Sequence, residues 1–165
     1  VSSNQKTKDD MKSLILILLF AGTGEFIFSQ NRFAGQELSI NGFRNPSMGM
    51  EYRNGQLSLH AGYYITALEA GVTSQFFKTG ITYWGFPVDH KPIPSSFYTG
   101  ASYLRGLNLE YKNKNAIGVE AGFRWMIWKG FNLRIGAIAL MSKGNDLKIN
   151  PTPGISYSFR LNPQP

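Results

Sequence analysis

Residues 117–125 read Ile117-Gly118-Val119-Glu120-Ala121-Gly122-Phe123-Arg124-Trp125, and the pattern returns at Phe131-Asn132-Leu133-Arg134-Ile135-Gly136-Ala137. Every second residue is apolar, and those between are glycine, polar or charged. A helix would mix the two sets on each face, because it brings together residues three and four apart. A strand sends successive side chains to opposite faces and separates them. Lys129-Gly130 joins the two runs, a two-residue connection of the kind that makes a β-hairpin.

The same alternation extends outward. Leu57, Leu59, Ala61, Tyr63 and Ile65 alternate with Ser58, His60, Gly62 and Tyr64, and Ile155, Tyr157, Phe159 and Leu161 with Ser156, Ser158 and Arg160. Eight strands are expected, at 36–43, 47–53, 56–65, 75–86, 96–107, 116–128, 131–141 and 152–161. Asn54-Gly55 is a second tight hairpin signal. Polar stretches at 66–74, 108–115 and 142–151 are expected as longer connections, and the Pro-rich stretch 87–95 as a loop. A break at Arg44-Asn45-Pro46 keeps the strand number even, as single-chain bacterial barrels require.

Glycine decides which face is inside. Gly49, Gly62, Gly80, Gly100, Gly118, Gly122 and Gly136 all share the phase of the charged residues. On a water-facing exterior glycine has no role and costs backbone entropy. In the bore of an eight-stranded barrel, which side chains just fill, it makes room for long neighbours such as Arg124 and Arg134. The polar face is therefore expected inside and the apolar face outside, against lipid. Segments of ten or more residues suit tilted strands crossing a bilayer. Aromatics gather at strand ends, with Tyr52, Trp84, Phe86, Phe97, Tyr98, Trp125, Trp128, Phe131 and Phe159 on one side. Tyr63, Tyr64, Phe76, Phe77 and Tyr103 stand on the other, so two interfacial girdles are expected.

The inward charged set is Glu51, Arg53, Lys78, Glu120, Arg124, Arg134 and Arg160. Arg134, beside Arg124 across the Lys129-Gly130 hairpin, is the expected partner of Glu120. Charges in a narrow lumen require pairing or water. A structural plug is expected, with an anion-preferring pore as the open alternative.

The front of the chain has a different character. Met11-Lys12 precedes the apolar run Leu14-Ile15-Leu16-Ile17-Leu18-Leu19-Phe20-Ala21, and a small residue, Ser29, stands before Gln30. This layout is that of a secretory signal peptide. Glu25 interrupts the run before it reaches the roughly 20 residues of a spanning helix. Residues 1–29 are expected as signal peptide with a possible upstream extension, and 30–165 as the barrel. The 165 residues contain no cysteine, which excludes disulfides, thiolate metal sites and a cysteine nucleophile. The formal net charge of +7 raises the question of an acidic partner.

At the C-terminus, Thr152-Pro153-Gly154-Ile155-Ser156-Tyr157-Ser158-Phe159 resembles the terminal signal of outer-membrane barrels, a polar residue, a glycine two positions on, then two spaced apolar residues. The resemblance implies that Thr152, Gly154, Tyr157 and Phe159 are read by the barrel-assembly machinery. Arg160-Leu161 and a short tail follow Phe159, a departure from the pattern. Over residues 36–161 the chain looks like the small outer-membrane barrels of the OmpA/OmpX type. The expected fold is all-β, an eight-stranded antiparallel up-and-down transmembrane barrel after a signal peptide, located in a bacterial outer membrane.

Chemistry is sparse. Ser58 and His60 share the inward face, but no carboxylate is placed by spacing to orient the ring, so a polar lumen residue is expected rather than a nucleophile and base. His90 is read as loop. No metal motif or phosphate-binding glycine loop occurs, and no cofactor is expected. Arg44, Arg105, Lys112, Lys114, Lys143 and Lys148 fall on the presumed outer connections, where lipopolysaccharide would offer phosphates. A solvated loop surface is the equal alternative. Nucleic acid is not expected, since the charges do not track a groove. The expected role is structural or surface-interacting and non-enzymatic. A small channel, a membrane-embedded lipid-modifying enzyme and a soluble lipocalin-like binder remain as rivals.

Overall fold

The computed structural model describes residue 33 and residues 35–43, 47–69 and 72–161. The expected signal peptide lies outside these residues. Among the described residues nine strands are formed: β1 (Gln36–Phe43), β2 (Met48–Asn54), β3 (Leu57–Glu69), β4 (Val72–Pro87), β5 (Ser96–Gly106), β6 (Asn115–Trp128), β7 (Phe131–Ser142), β8 (Asn145–Pro151) and β9 (Gly154–Arg160). Each strand from β1 to β7 pairs antiparallel with the next. β9 pairs with both β7 and β1 and closes the ring.

β8 and β9 are two halves of one stave. Both pair with β7 in a single register, Ala137↔Pro151 above the break and Arg134↔Gly154 below it. Thr152 N–H still donates to Gly136 O at 2.8 Å. The ladder lapses only at Pro153, which has no N–H to give. Eight staves therefore make a closed up-and-down barrel.

Two expected connections are in fact strand. Glu69 pairs with Val72, so 66–74 is the tip of the β3–β4 hairpin. Ser142 pairs with Asn145 around Lys143-Gly144, where Gly144 takes φ 79°, so 142–151 is mostly β8. Polar residues concealed both. Yet Thr66, Ser74 and Asn150 face inward while Leu147 and Ile149 face outward, so the alternation runs straight through. Of the three polar stretches, 108–115 is the one that is largely a loop, with a 3-10 turn at Leu109–Tyr111, and 88–95 joins β4 to β5 as a second loop.

The stagger around the ring can be counted from the registers. Asn132 leads through Ser156, Asn41, Gly49, Gly62, Lys78, Leu104 and Ala116 to Ser142, ten residues further along β7 than the start. Eight strands with that shear tilt by about 40° and leave a bore just wide enough for side chains. Every residue on that path except Ser142 at the rim has the lumen phase, so one face of each strand is committed to the interior. The glycines sit on the lumen face as expected, but the space they leave is taken by neighbouring backbone, Tyr98, Leu104 and Ile138 rather than by Arg124 or Arg134. A Cβ at Gly80 would lie 2.7 Å from Ser102 Cα, and one at Gly100 would lie 2.8 Å from Ile81 O.

The barrel is inside-out relative to a water-soluble one. Ile135, Met48 and Ile149 are about 70% exposed (69%, 71% and 71%), whereas Glu37, Glu51, Lys78 and Arg124 are 0–2% exposed.

Candidate functional site: the charged lumen

Among the described residues the lumen holds three ion-paired groups. Glu37, on β1, accepts from Arg53 Nη2 at 2.6 Å and Nε at 2.8 Å, and from Arg124 Nη1 at 2.7 Å. Glu51, on β2, accepts from Arg134 Nη1 at 2.6 Å and from the Ser58 hydroxyl. Glu120, on β6, accepts from Lys78 Nζ at 2.8 and 2.9 Å. All seven charged side chains are at most 9% exposed. At that burial a pair is stable only when hydrogen bonds satisfy what charge alone leaves open.

Six of the seven lumen charges named from sequence take part, and Arg160 stands half-buried opposite Glu37. The expected partnership of Glu120 with Arg134 is not formed. Arg134 sits directly across from Arg124, so the hairpin juxtaposes two like charges, and each turns to a carboxylate across the bore. Glu37 was missed as a lumen acid. Its parity with Ser39 and Asn41, both buried, carried the signal.

Trp84 lies at the centre of the network. The Arg124 guanidinium is 4.2 Å from its ring and that of Arg134 5.1 Å. Its indole N–H donates to Ser58 Oγ at 2.9 Å, and Tyr98 packs 5.3 Å away between ring centres. Tyr64 and Phe76 are buried higher up with Leu104, Tyr111, Ile138 and Leu140. Assignment of Trp84, Tyr98, Tyr64 and Phe76 to the girdles is therefore corrected. Each shares strand parity with polar lumen residues, which outweighs its position near a strand end. Tyr52, Phe97, Trp125, Trp128, Phe159, Phe77 and Tyr103 do face outward.

His60 Nε2 lies 3.1 Å from Ser102 Oγ, and Nδ1 lies 3.2 Å from Thr82 Oγ1. A carboxylate is nearby after all, Glu120 Oε1 at 4.0 Å, but it stands on the Nε2 side beside Ser102. A nucleophile–base–acid relay needs the acid behind the other nitrogen. Ser58 is committed to Glu51 and Trp84, not to His60. The space at this point is about 10 Å³, enough for one water, between Glu51, His60, Lys78, Glu120 and Arg134.

Both ends of the bore are filled. At the end where β1 begins and β9 ends, Phe33 is fully buried, stacks 5.3 Å from the Arg53 guanidinium, and accepts from it through its carbonyl. Ile93, Pro94 and Ser95 fold inward beside it, and Arg124 Nη2 donates to Pro94 O at 3.2 Å. Asp89 anchors this segment through Ser95 Oγ at 2.6 Å. Burial opposes its ionisation, but the Ser95 and Lys91 hydrogen bonds and the Lys91 ammonium hold its carboxyl below the ordinary value of 3.8. At the other end the apolar cluster closes the bore, and Asn150 bonds to Tyr64 and Thr66 across the gap above the short β1–β2 hairpin.

The remaining residues singled out from sequence lie on the surface or at the stave break. Thr152 and Gly154 face inward, and Tyr157 and Phe159 face outward with rings 4.8 Å apart. Arg105, Lys112, Lys114 and Lys143 gather at the end opposite the start of β1 and the close of β9. There Arg105 donates to Asn115 at 2.6 Å and Lys114 to Asn145 at 3.4 Å. Lys148 is in β8, opposite Leu140, and Arg44 lies outside the described residues. Among the described residues no three His, Cys, Asp or Glu side chains stand close enough to hold a metal. Comparison with known proteins yields no match to any family model, curated protein or solved structure.

Proposed function

We propose that this chain is an integral membrane barrel of the outer-membrane kind, with a lumen sealed by side chains and a role carried by its surfaces. One observation carries the reading: the outward strand faces carry exposed Ile, Leu, Val, Met, Trp and Phe, while the strand-borne ion pairs of the network are buried inside. In water that distribution forfeits the hydrophobic stabilisation a barrel of this size needs, and in lipid it is the stable one. The residues expected as signal peptide would export the chain. The Thr152, Gly154, Tyr157 and Phe159 pattern would present the last stave to the assembly machinery. The rim of Arg105, Lys112, Lys114 and Lys143 would meet lipopolysaccharide phosphates in the outer leaflet.

The test is expression in a Gram-negative host, followed by alkaline and urea washing of membranes and electrophoresis with and without boiling. Retention in washed membranes and a faster-migrating unboiled band are expected. Recovery as a water-soluble monomer without detergent would overturn the reading. Purified protein should give no steady conductance in planar bilayers, because paired side chains fill the charge network and the space between Glu51, His60, Lys78, Glu120 and Arg134 holds one water. Stable anion-preferring currents would establish a channel instead.

A further inference from the structure

At the end where β1 begins and β9 ends, the wall of the barrel has a notch. β7 starts at Phe131 opposite Tyr157, and the β6–β7 turn accepts from Ser158 N–H through Gly130 O at 2.8 Å. Residues 158–160 of β9 run on past that turn, covered by β1 on one side only. The segment 91–93 crosses opposite, and a cavity of about 620 Å³ lies between them. Its size falls within the range of small-ligand sites.

The walls are apolar and the charged groups are cationic. Ile93, Trp128, Tyr157 and Phe159 line it, with Trp128 at 67% exposure on the outer surface. Lys91, Lys129 and Arg160 contribute three positive charges. Lys129 Nζ stands 5.2 Å from the Trp128 ring, and its backbone takes φ 39°. Lys91 is paired with Asp89 at 3.5 Å, which leaves two cations in excess. Arg160 Nε is buried with no hydrogen-bond partner among the described residues. Such a donor loses the solvation of water without a replacement, and an anion in the notch would restore it.

We infer that this notch binds the headgroup of an anionic phospholipid, with the first acyl methylenes against Tyr157 and Phe159. The inference rests on the membrane reading above, because only then does the notch open at the level of headgroups. A phosphodiester matches the cations, and the apolar walls require a ligand with hydrocarbon attached, which free phosphate lacks.

The test uses the full chain in detergent, titrated with phosphatidylglycerol or phosphatidylcholine of identical acyl chains and read by native mass spectrometry. Wild type should retain phosphatidylglycerol over phosphatidylcholine by roughly tenfold, and Lys129→Gln with Arg160→Gln should bring that ratio close to one. Thr73→Ala with Gln75→Ala, on the outward face at the opposite rim, should leave it unchanged. Heat-modifiable migration of both double variants checks that they are folded. Equal retention of the two lipids, an unchanged ratio in the notch variant, or displacement of phosphatidylglycerol by inorganic phosphate would overturn the inference. Insertion into membranes without headgroup preference removes this site alone, whereas a protein soluble without detergent removes the membrane reading as well.

Discussion

Glu37→Gln keeps the shape of the lower lumen and removes its anion. The glutamine can still accept one hydrogen bond, but two guanidiniums then share no negative partner. Arg53 is left with the carbonyls of Gly55 and Phe33, and Arg124 with Pro94 O and the face of Trp84. Both arginines are at most 4% exposed at the side chain, so water cannot replace the carboxylate. Breaking a buried pair by removing one partner costs about 3–5 kcal/mol, because the other charge stays behind. With a urea slope of about 2 kcal/mol/M, the unfolding midpoint should fall by roughly 2 M. The assay is urea unfolding from lipid vesicles followed by tryptophan emission. Adding Arg124→Met should recover part of the loss, since it removes one of the two stranded charges. A midpoint shift under about 0.3 M, or no recovery in the double variant, would mean that the lumen is wet enough to screen these charges, and the sealed-bore reasoning would fail.

Three further perturbations probe separate features. Ala121 is on the exposed face, so Ala121→Arg should lower stability in lipid by about 2–4 kcal/mol, measured by the same unfolding series. Gly122→Ala acts from the other side. Its Cβ would fall on the Ile135 carbonyl oxygen and 2.6 Å from Tyr98 Oη, so folding yield on gels should drop although the change is a single methyl group. Asp89 links the plugging segment to pH. Its carboxyl is held below 3.8, so its anchoring contribution is present above that value and is lost as pH falls through the lowered one. Cleavage of 88–95 by an acid-active protease should therefore rise only at the acid end, and Asp89→Asn should make the segment cleavable at every pH.

Much of this architecture is legible in the linear chain, because strand geometry is local. A side chain's face depends on parity alone, so the alternation around Glu120 and Arg134 identified both the strands and the polar interior. Glycines in the same phase marked where backbones and long side chains meet. Even the buried positions of Tyr64 and Trp84 were present in that parity, although nearness to strand ends pointed elsewhere. Tertiary structure decided the rest. The polar stretch 142–151 reads as a connection, yet β8 and β9 form one stave, because both pair with β7 in the same register on either side of Pro153. Which acid holds which base depends on the shear of ten residues and the closure between β9 and β1. These bring Glu37 to Arg124 and Glu51 to Arg134 across the bore, separations of 87 and 83 residues along the chain. Parity can place a charge inside, but only the closed ring sets what it meets there.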